Sequence, residues 1–365
     1  MERYVWELTH QLAASGHGVQ VLCESQLEPD DTVHTEGSVR VVELGYPPKA
    51  LPRWIRMLNF SRRIQRHIRT MDTSGWVIHS HERTGVHAVT TFHGSSIFVR
   101  KKSLLDWASP RLNVWEWLEK REIERTGVRR VVPVSGQIQR ELQTLFPGSK
   151  QKIVAPIYPG TDSSFQQLSR TKKEKTIGFM GVEWHRKGLD ILARCVEKLR
   201  QDDNDINLLV AGCSPADVQH LFKGWTGGYK LVGWIAPDLF FPNIDVLALP
   251  ARKEPFGMVV AEANAAGIPV VVSTQSGIAP LIQQQQGKVV DISNEDAVAA
   301  ACMTLLQRKQ PIEKLTLGWD MAVAAYSVIY GEVLNENEHD ISSDNVSAES
   351  LSVSSVTPFK KPNTP

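Results

Sequence analysis

Residues 254–273 read Glu254-Pro-Phe-Gly-Met-Val-Val-Ala-Glu262-Ala-Asn-Ala-Ala-Gly-Ile-Pro-Val-Val-Val-Ser273. The apolar run before them, Ile244 to Pro250, predicts a buried strand. A loop then leads into a helix that opens near Gly257 and closes at Gly267, and a second apolar strand follows over Ile268 to Ser273. Strand, loop, helix and strand in this order form the unit from which parallel α/β sheets are built. Gly257 lets backbone approach a ligand, and the free N–H groups of the helix start attract an anion. Glu262 lies four residues after Met258, so its side chain leans back toward that helix start. Flanked by Val260, Ala261 and Ala263, its carboxylate is costly to bury without hydrogen-bond donors, and sugar hydroxyls are good donors. Glu254 on the loop and Glu262 on the helix would then bracket a phosphate-bearing sugar. Spacing alone equally allows a solvated Glu254 and a Glu262 on an exposed helix edge.

Outside this stretch, 365 residues with 42% hydrophobic content predict two α/β domains, each large enough for its own core. No apolar run approaches the length of a membrane span, and Met1 leads into a charged, amphipathic segment instead of a signal-like apolar core. Cys23, Cys195, Cys213 and Cys302 lack metal-type spacing and are expected as reduced core residues of a cytoplasmic protein. The net charge of +1 hides an asymmetry: residues 1–160 hold 22 Lys and Arg against 16 Asp and Glu, and the remainder holds 19 against 24. A basic first half and an acidic second half suggest different partners for the two.

The segment 254–262 resembles the signature of the retaining glycosyltransferases of family 4, a Glu, seven residues and a second Glu, with Phe256-Gly257 inside it. The likeness extends to Asp245-Val-Leu upstream and Gly267-Ile-Pro-Val-Val downstream, and in weaker form over residues 1–334. It implies the GT-B architecture of two Rossmann-like, doubly wound domains facing a cleft. The expected division is 1–168 for an acceptor-side domain, 169–315 for the nucleotide-sugar domain, 316–334 for a helix crossing back, and 335–365 for a disordered tail rich in Ser, Asn, Glu and Pro. The family's first strand and glycine-rich turn should precede the helix at residues 1–15. The chain instead starts on that helix, so the first domain is expected to lack its first strand.

By the same resemblance, Glu262 would hold the donor ribose, Glu254 the donor sugar, and His93, at the end of a first-domain strand, would touch that sugar from across the cleft. Arg186 and Lys187, after Gly181 and before a helix, suit a pyrophosphate together with the amides near Phe256, Gly257 and Met258. Many family members carry Arg where this chain has Val182; Arg186-Lys187 is closer to the lipopolysaccharide-core glycosyltransferases. The strand end Gly233-Trp234 is positioned to read a nucleotide base. Ser276-Gly277-Ile278 is expected to open a further helix near the donor.

In the first half, Trp76 to Gly94 contains two short strands that end in polar residues, where open α/β sheets bind ligands. His79, His81 and His93 have strand-like spacing, and no carboxylate or cysteine completes a metal set. His81 and Glu82 are candidates for the acceptor side, with a plain polar loop as the other reading. Residues 49–69 intersperse Lys49, Arg53, Arg56, Arg62, Arg63, Arg66 and Arg69 with Trp54, Ile55, Met57, Leu58, Phe60, Ile64 and Ile68. They predict a basic amphipathic helix that either rests on an anionic inner-membrane surface or covers the sheet. A second basic stretch runs from Arg100 through Lys101, Lys102, Trp107, Trp115 and Trp117 to Arg130. Arg130–Val134 and Ile153–Ile157 read as strands, Ser135 as the cap of the helix after it, and Ser293 as the cap of the helix from Asn294. Asp202-Asp-Asn-Asp205 precedes a strand, at the sheet end away from the ligand, and reads as a solvated turn.

These readings converge on a metal-independent transferase that moves a sugar from a nucleotide-sugar, expected to be a UDP-sugar, to a hydroxyl of a glycan or glycolipid in lipopolysaccharide-core or envelope synthesis. Neither a further cofactor nor a nucleic-acid partner is expected. A silent nucleotide-sugar-binding scaffold and a nucleotide-sugar epimerase of the same architecture remain alternatives.

Overall fold

The computed structural model describes residues 2–24, 39–45, 51–100, 103, 106, 108–168 and 174–348. Expectations for Met1, Lys49, Lys101, Lys102, Trp107 and the start of the 169–175 boundary lie outside the described residues.

The second half is a run of short strands, each followed by a turn or helix. β6 (Thr176–Met180), α5 (Leu189–Asp202), β7 (Asn207–Ala211), α6 (Pro215–Val218), β8 (Tyr229–Gly233) and α7 (Pro237–Phe240) come first. β9 (Val246–Leu249), α8 (Met258–Ala265), β10 (Val270–Ser273), β11 (Gly287–Val290) and α9 (Glu295–Leu306) follow. The strands form one sheet in the order β11-β10-β9-β6-β7-β8, and every pairing is parallel. β9 and β10 are buried along their whole length, as uninterrupted Val, Leu and Ala runs require when helices cover both faces. The strand order reverses between β6 and β9, the switch point outside whose carboxyl ends open α/β sheets place their ligand crevice.

The first half contains α1 (Glu2–Ala14), β1 (Val19–Cys23), β2 (Val39–Glu43), α2 (Arg53–Ile68), β3 (His79–Ser80), β4 (Val89–Phe92), α3 (Pro110–Glu124), β5 (Arg130–Pro133) and α4 (Gly136–Leu145). Its strands fall into two parallel sheets, β1-β2 and β3-β4-β5, that do not pair with each other among the described residues. Ser135 caps α4 by accepting the Ile138 N–H. On α2, Phe60 and Ile64 are buried while Arg53, Arg62 and Arg66 are exposed. Among the described residues no helix is long and apolar enough to cross a membrane.

The last helix, α10 (Trp319–Ala348), returns to the first half and packs on α1. Tyr4, Leu8 and Leu12, spaced one helical turn apart, are buried against Trp319, Tyr326 and Val333. Tyr326 Oη sits 2.8 Å from Tyr4 Oη and 2.6 Å from Thr91 Oγ1, so the buried hydroxyls satisfy one another. Two segments of chain cross between the halves, and they run together. Thr161 N–H donates to the Leu317 carbonyl at 2.6 Å, and Lys314 Nζ donates to the Gln166 carbonyl at 3.0 Å.

Three expectations are corrected. Residues 153–157 form no strand; Ile153 makes only an isolated bridge to Val131, because Pro156 has no N–H to continue a ladder. The cap of α9 is Asn294, whose side chain accepts the Ala297 N–H at 3.0 Å, and not Ser293, which lies one residue too early. Helix α10 continues past Leu334 to Ala348, so the tail expected from Asn335 begins as helix; its remainder lies outside the described residues.

Candidate functional site

The crevice between β6 and β9 gathers the charged residues of the signature. The loop after β6 carries Arg186 and Lys187, and the loop after β9 carries Glu254. Arg186 Nη1 donates to Glu254 Oε2 at 3.2 Å and to the Lys253 carbonyl at 2.5 Å, while its Nε and Nη2 hold Glu183 at 2.8 and 2.6 Å. Lys187 Nζ lies 3.7 Å from the same Glu254 oxygen. Glu254 is only 9% exposed, and two cations compensate its burial. Burial lowers the Arg186 pKa, but Glu183 and Glu254 outweigh it and hold the guanidinium above its usual range. The Lys187 stem crosses directly over Gly181.

Helix α8 starts at this loop. Gly257 caps it with φ +111°, in the left-handed region that favours glycine, and the Met258 and Val259 N–H groups have no intrahelical acceptor. One turn along, Glu262 is 5% exposed and receives Arg3 Nη1 at 3.0 Å on Oε1. Arg3 belongs to α1, so Glu262 faces the groove between the halves. Burial pushes its carboxyl up to about 7, against the opposing pull of Arg3 and Lys187. Phe256 is 4% exposed and stacks on Tyr158 of the first half, closing the wall of the groove instead of lining its open part. Met258 is half-buried at the first turn, while Gly233 ends β8 and presents Trp234 at 83% exposure. Ser276-Gly277-Ile278 pairs with the Glu254 loop, Gly277 N–H donating to the Glu254 carbonyl at 2.8 Å, and leads into only one turn of 3-10 helix.

Across the groove, the loops after β3 and β4 bring His81 and His93 together, with His81 Nδ1 2.9 Å from His93 Nε2. Burial depresses both imidazoles, His81 down to about 3, so at neutral pH both rings are uncharged and one N–H donates to the other's lone pair. Tyr4 packs edge-on against His93 at 4.7 Å. His79 is committed elsewhere, with Nδ1 2.7 Å from Tyr330 Oη and Nε2 2.8 Å from Thr91 Oγ1. Glu82 is half-buried beside Arg83, and burial raises its carboxyl. Among the described residues no group of three or more His, Cys, Asp or Glu could hold a metal ion. Asp203 pairs with Lys175 at 2.7 Å before β7, at the sheet end away from the crevice.

Several residues at the site escaped sequence reasoning. On α3, Glu119 and Glu122 are 0% and 3% exposed, and Arg83 reaches both, at 3.0 and 3.6 Å. Glu119 accepts the Ser96 hydroxyl and the Ile97 N–H, fixing the loop after His93. Thr90 Oγ1 donates to Glu122 at 2.8 Å, and burial pushes the Glu122 carboxyl up to about 7. The available signal was their spacing of three, on the side of α3 that also carries Leu118 and Ile123. Ser135 joins the halves through a 2.6 Å hydrogen bond to the Pro255 carbonyl, and Glu141 through Lys253 at 2.9 Å.

Residues 1–165 match the family described as Glycosyltransferase Family 4, and residues 174–308 match Glycosyl transferases group 1. A D-inositol 3-phosphate glycosyltransferase of Thermomonospora curvata is 33% identical over 299 residues, covering 70% of this chain and 68% of that protein. An uncharacterized glycosyltransferase of Methanocaldococcus jannaschii is 28% identical over 197 residues, 46% of this chain, which spans about half (48%) of that relative's length. Among solved structures, WaaG, a glycosyltransferase involved in lipopolysaccharide biosynthesis, superposes with a TM-score of 0.68 at 16% identity, over 92% of this chain and 90% of that one. Anabaena HepE in complex with UDP and glucose gives 0.60 at 16% identity, over 94% and 95%. At these identities the structural likeness speaks for the fold, two Rossmann-like domains across a groove. With both halves matched and one relative 33% identical across most of its length, the protein belongs to glycosyltransferase family 4 and has the GT-B fold.

Proposed function

We propose that this protein transfers a sugar from a UDP-sugar to a hydroxyl of a glycan or glycolipid, with retention of the anomeric configuration and without a metal ion. The observation that carries the reading is the convergence of Arg186, Lys187 and Glu254 at the start of α8, with Glu262 one turn further along the groove. In this reading the diphosphate displaces the contacts of Arg186 and Lys187 with Glu254 and takes their charge, joined by the Met258 and Val259 amides. Glu254, released toward the sugar, and Glu262, toward the ribose, accept hydroxyl hydrogen bonds, and Trp234 lies beside the base. Positive charge fixed at the leaving phosphate lowers the barrier to its departure, and that phosphate takes the acceptor proton on the same face. The neutral His93 contacts the sugar from the first half, and His81 and Glu82 border the acceptor. Closure of the groove excludes water, the competing acceptor.

The acceptor is read as an envelope glycan or lipopolysaccharide-core intermediate on the cytoplasmic face of the inner membrane. The exposed Arg53, Arg62 and Arg66 of α2 support peripheral contact with anionic lipid there. Calorimetric titration with UDP, ADP and GDP tests the base. Donor turnover with and without acceptor, followed by NMR of the anomeric product, tests the reaction. An isomerised donor would indicate an epimerase, and binding without turnover a scaffold; either result refutes the transferase reading.

A further inference from the structure

One carboxylate ties the donor-side loop to the loop that follows His93. Glu141, on α4, accepts the Ser96 N–H at 2.6 Å on Oε1 and Lys253 Nζ at 2.9 Å on Oε2. Lys253 immediately precedes Glu254, and its carbonyl is the 2.5 Å acceptor of Arg186 Nη1. Ser96 lies three residues beyond His93, and its hydroxyl is already anchored by the buried Glu119. A continuous set of contacts therefore runs from Arg186 through the Lys253 backbone and ammonium to Glu141, and on to the Ser96 amide. A glutamate on α4 could rest in water. Its side chain is instead only 13% exposed, with each oxygen given to a different half of the molecule. The Ser135 to Pro255 hydrogen bond already pins the two halves at the same seam, so the Glu141 to Lys253 pair is not needed merely to hold them together.

We infer that Glu141 is a positioning residue that makes the geometry of the His93 loop depend on the state of the donor loop. The inference rests on the proposed donor site at Arg186 and Glu254. An arriving diphosphate recruits Arg186 and shifts the backbone at Lys253. Lys253 transmits that shift through Glu141 to Ser96, so the sugar-facing loop of the first half, anchored by Glu119, takes its final position as the donor is seated. Such coupling favours transfer over hydrolysis, because the acceptor side is brought into register as the donor closes the site.

The test uses the full chain and the variants Lys253→Met, which keeps an apolar stem, Glu141→Gln, which keeps an oxygen for the Ser96 amide, and their combination. Hydrogen exchange of residues 94–99 is followed with and without UDP, and kcat and KM are measured for both substrates. Lys253→Met, which does not touch Ser96, is expected to speed exchange at Ser96 and Ile97 several-fold. It is expected to lower kcat about tenfold with UDP affinity unchanged within twofold, and the double variant should be no worse than the single ones, as for two members of one linkage. Unchanged exchange at Ser96 in Lys253→Met, or multiplicative losses in the double variant, would overturn the inference. UDP binding by the unsubstituted protein reports on the donor site alone, whereas exchange in Lys253→Met without UDP reports on the link alone, so the two readings fail separately.

Discussion

Arg3 on the first helix and Glu262 on α8 form an ion pair of 3.0 Å that spans the groove between the two halves. Because burial pushes the Glu262 carboxyl up to about 7, its ionised form, with both oxygens accepting, is gained only as pH rises through that value. Donor affinity is therefore expected to fall up to tenfold per pH unit below about 7 and to level off above it. Arg3→Ala removes a cation that favours ionisation and should move the midpoint to higher pH. Titration of UDP between pH 6 and pH 8 measures both, and a flat profile would remove Glu262 from the donor site.

Arg186 and Lys187 share Glu254 and, in the proposed reaction, the leaving diphosphate. Replacing either with Ala should lower kcat/KM for the donor about a hundredfold, roughly 2.7 kcal/mol of transition-state stabilisation, with most of the loss in kcat. Steady-state kinetics decides this. A change confined to KM would mean that the cations bind the ground state without assisting departure.

Glu122 is buried and its carboxyl lies near 7, against an ordinary unfolded value of about 4.3. Between these values the folded state keeps a proton that the unfolded state releases. The stabilisation is complete below the unfolded value and is lost as pH rises through about 7. Glu122→Gln cannot titrate, so its stability should decline less than that of the unsubstituted protein between pH 5 and pH 8, by up to about 3 kcal/mol. Urea denaturation at the two pH values provides the comparison, and parallel declines would contradict the assignment.

Gly257 combines φ +111° with a would-be Cβ 3.1 Å from Ile278 Cγ2. Gly257→Ala should cost about 1–2 kcal/mol of stability and weaken UDP binding, because the strained residue sets the direction of the first α8 amides. Thermal denaturation and calorimetry on the same sample would reveal whether the two losses occur together.

What the chain reveals before folding is mostly local. The unit from β9 to β10 and the glycine at the start of α8 follow from periodicity within some thirty residues, whereas spacing alone leaves Glu254 and Glu262 open between a ligand site and a solvated surface. The partners of those carboxylates divide by distance along the chain. Arg186 and Lys187 were recognisable through the family likeness at Glu254 and Glu262, together with their place at a strand-to-helix turn. Arg3 was not, since it meets Glu262 at a separation of 259 residues, and no periodicity reports that. Glu141 and Lys253, 112 residues apart, were hidden for the same reason. Glu119 and Glu122 were masked by the cations and tryptophans around them, which drew the reading of this stretch to its basic residues.

The two tethers that connect the halves lie side by side, joined by Thr161 and Leu317 and closed over by Gly160, whose would-be Cβ meets the Trp319 backbone at 2.5 Å. Both links thus share a single spine, and Arg3, Ser135 and Glu141 clasp the two lobes to each other in addition, like stitches along the open edge of a book.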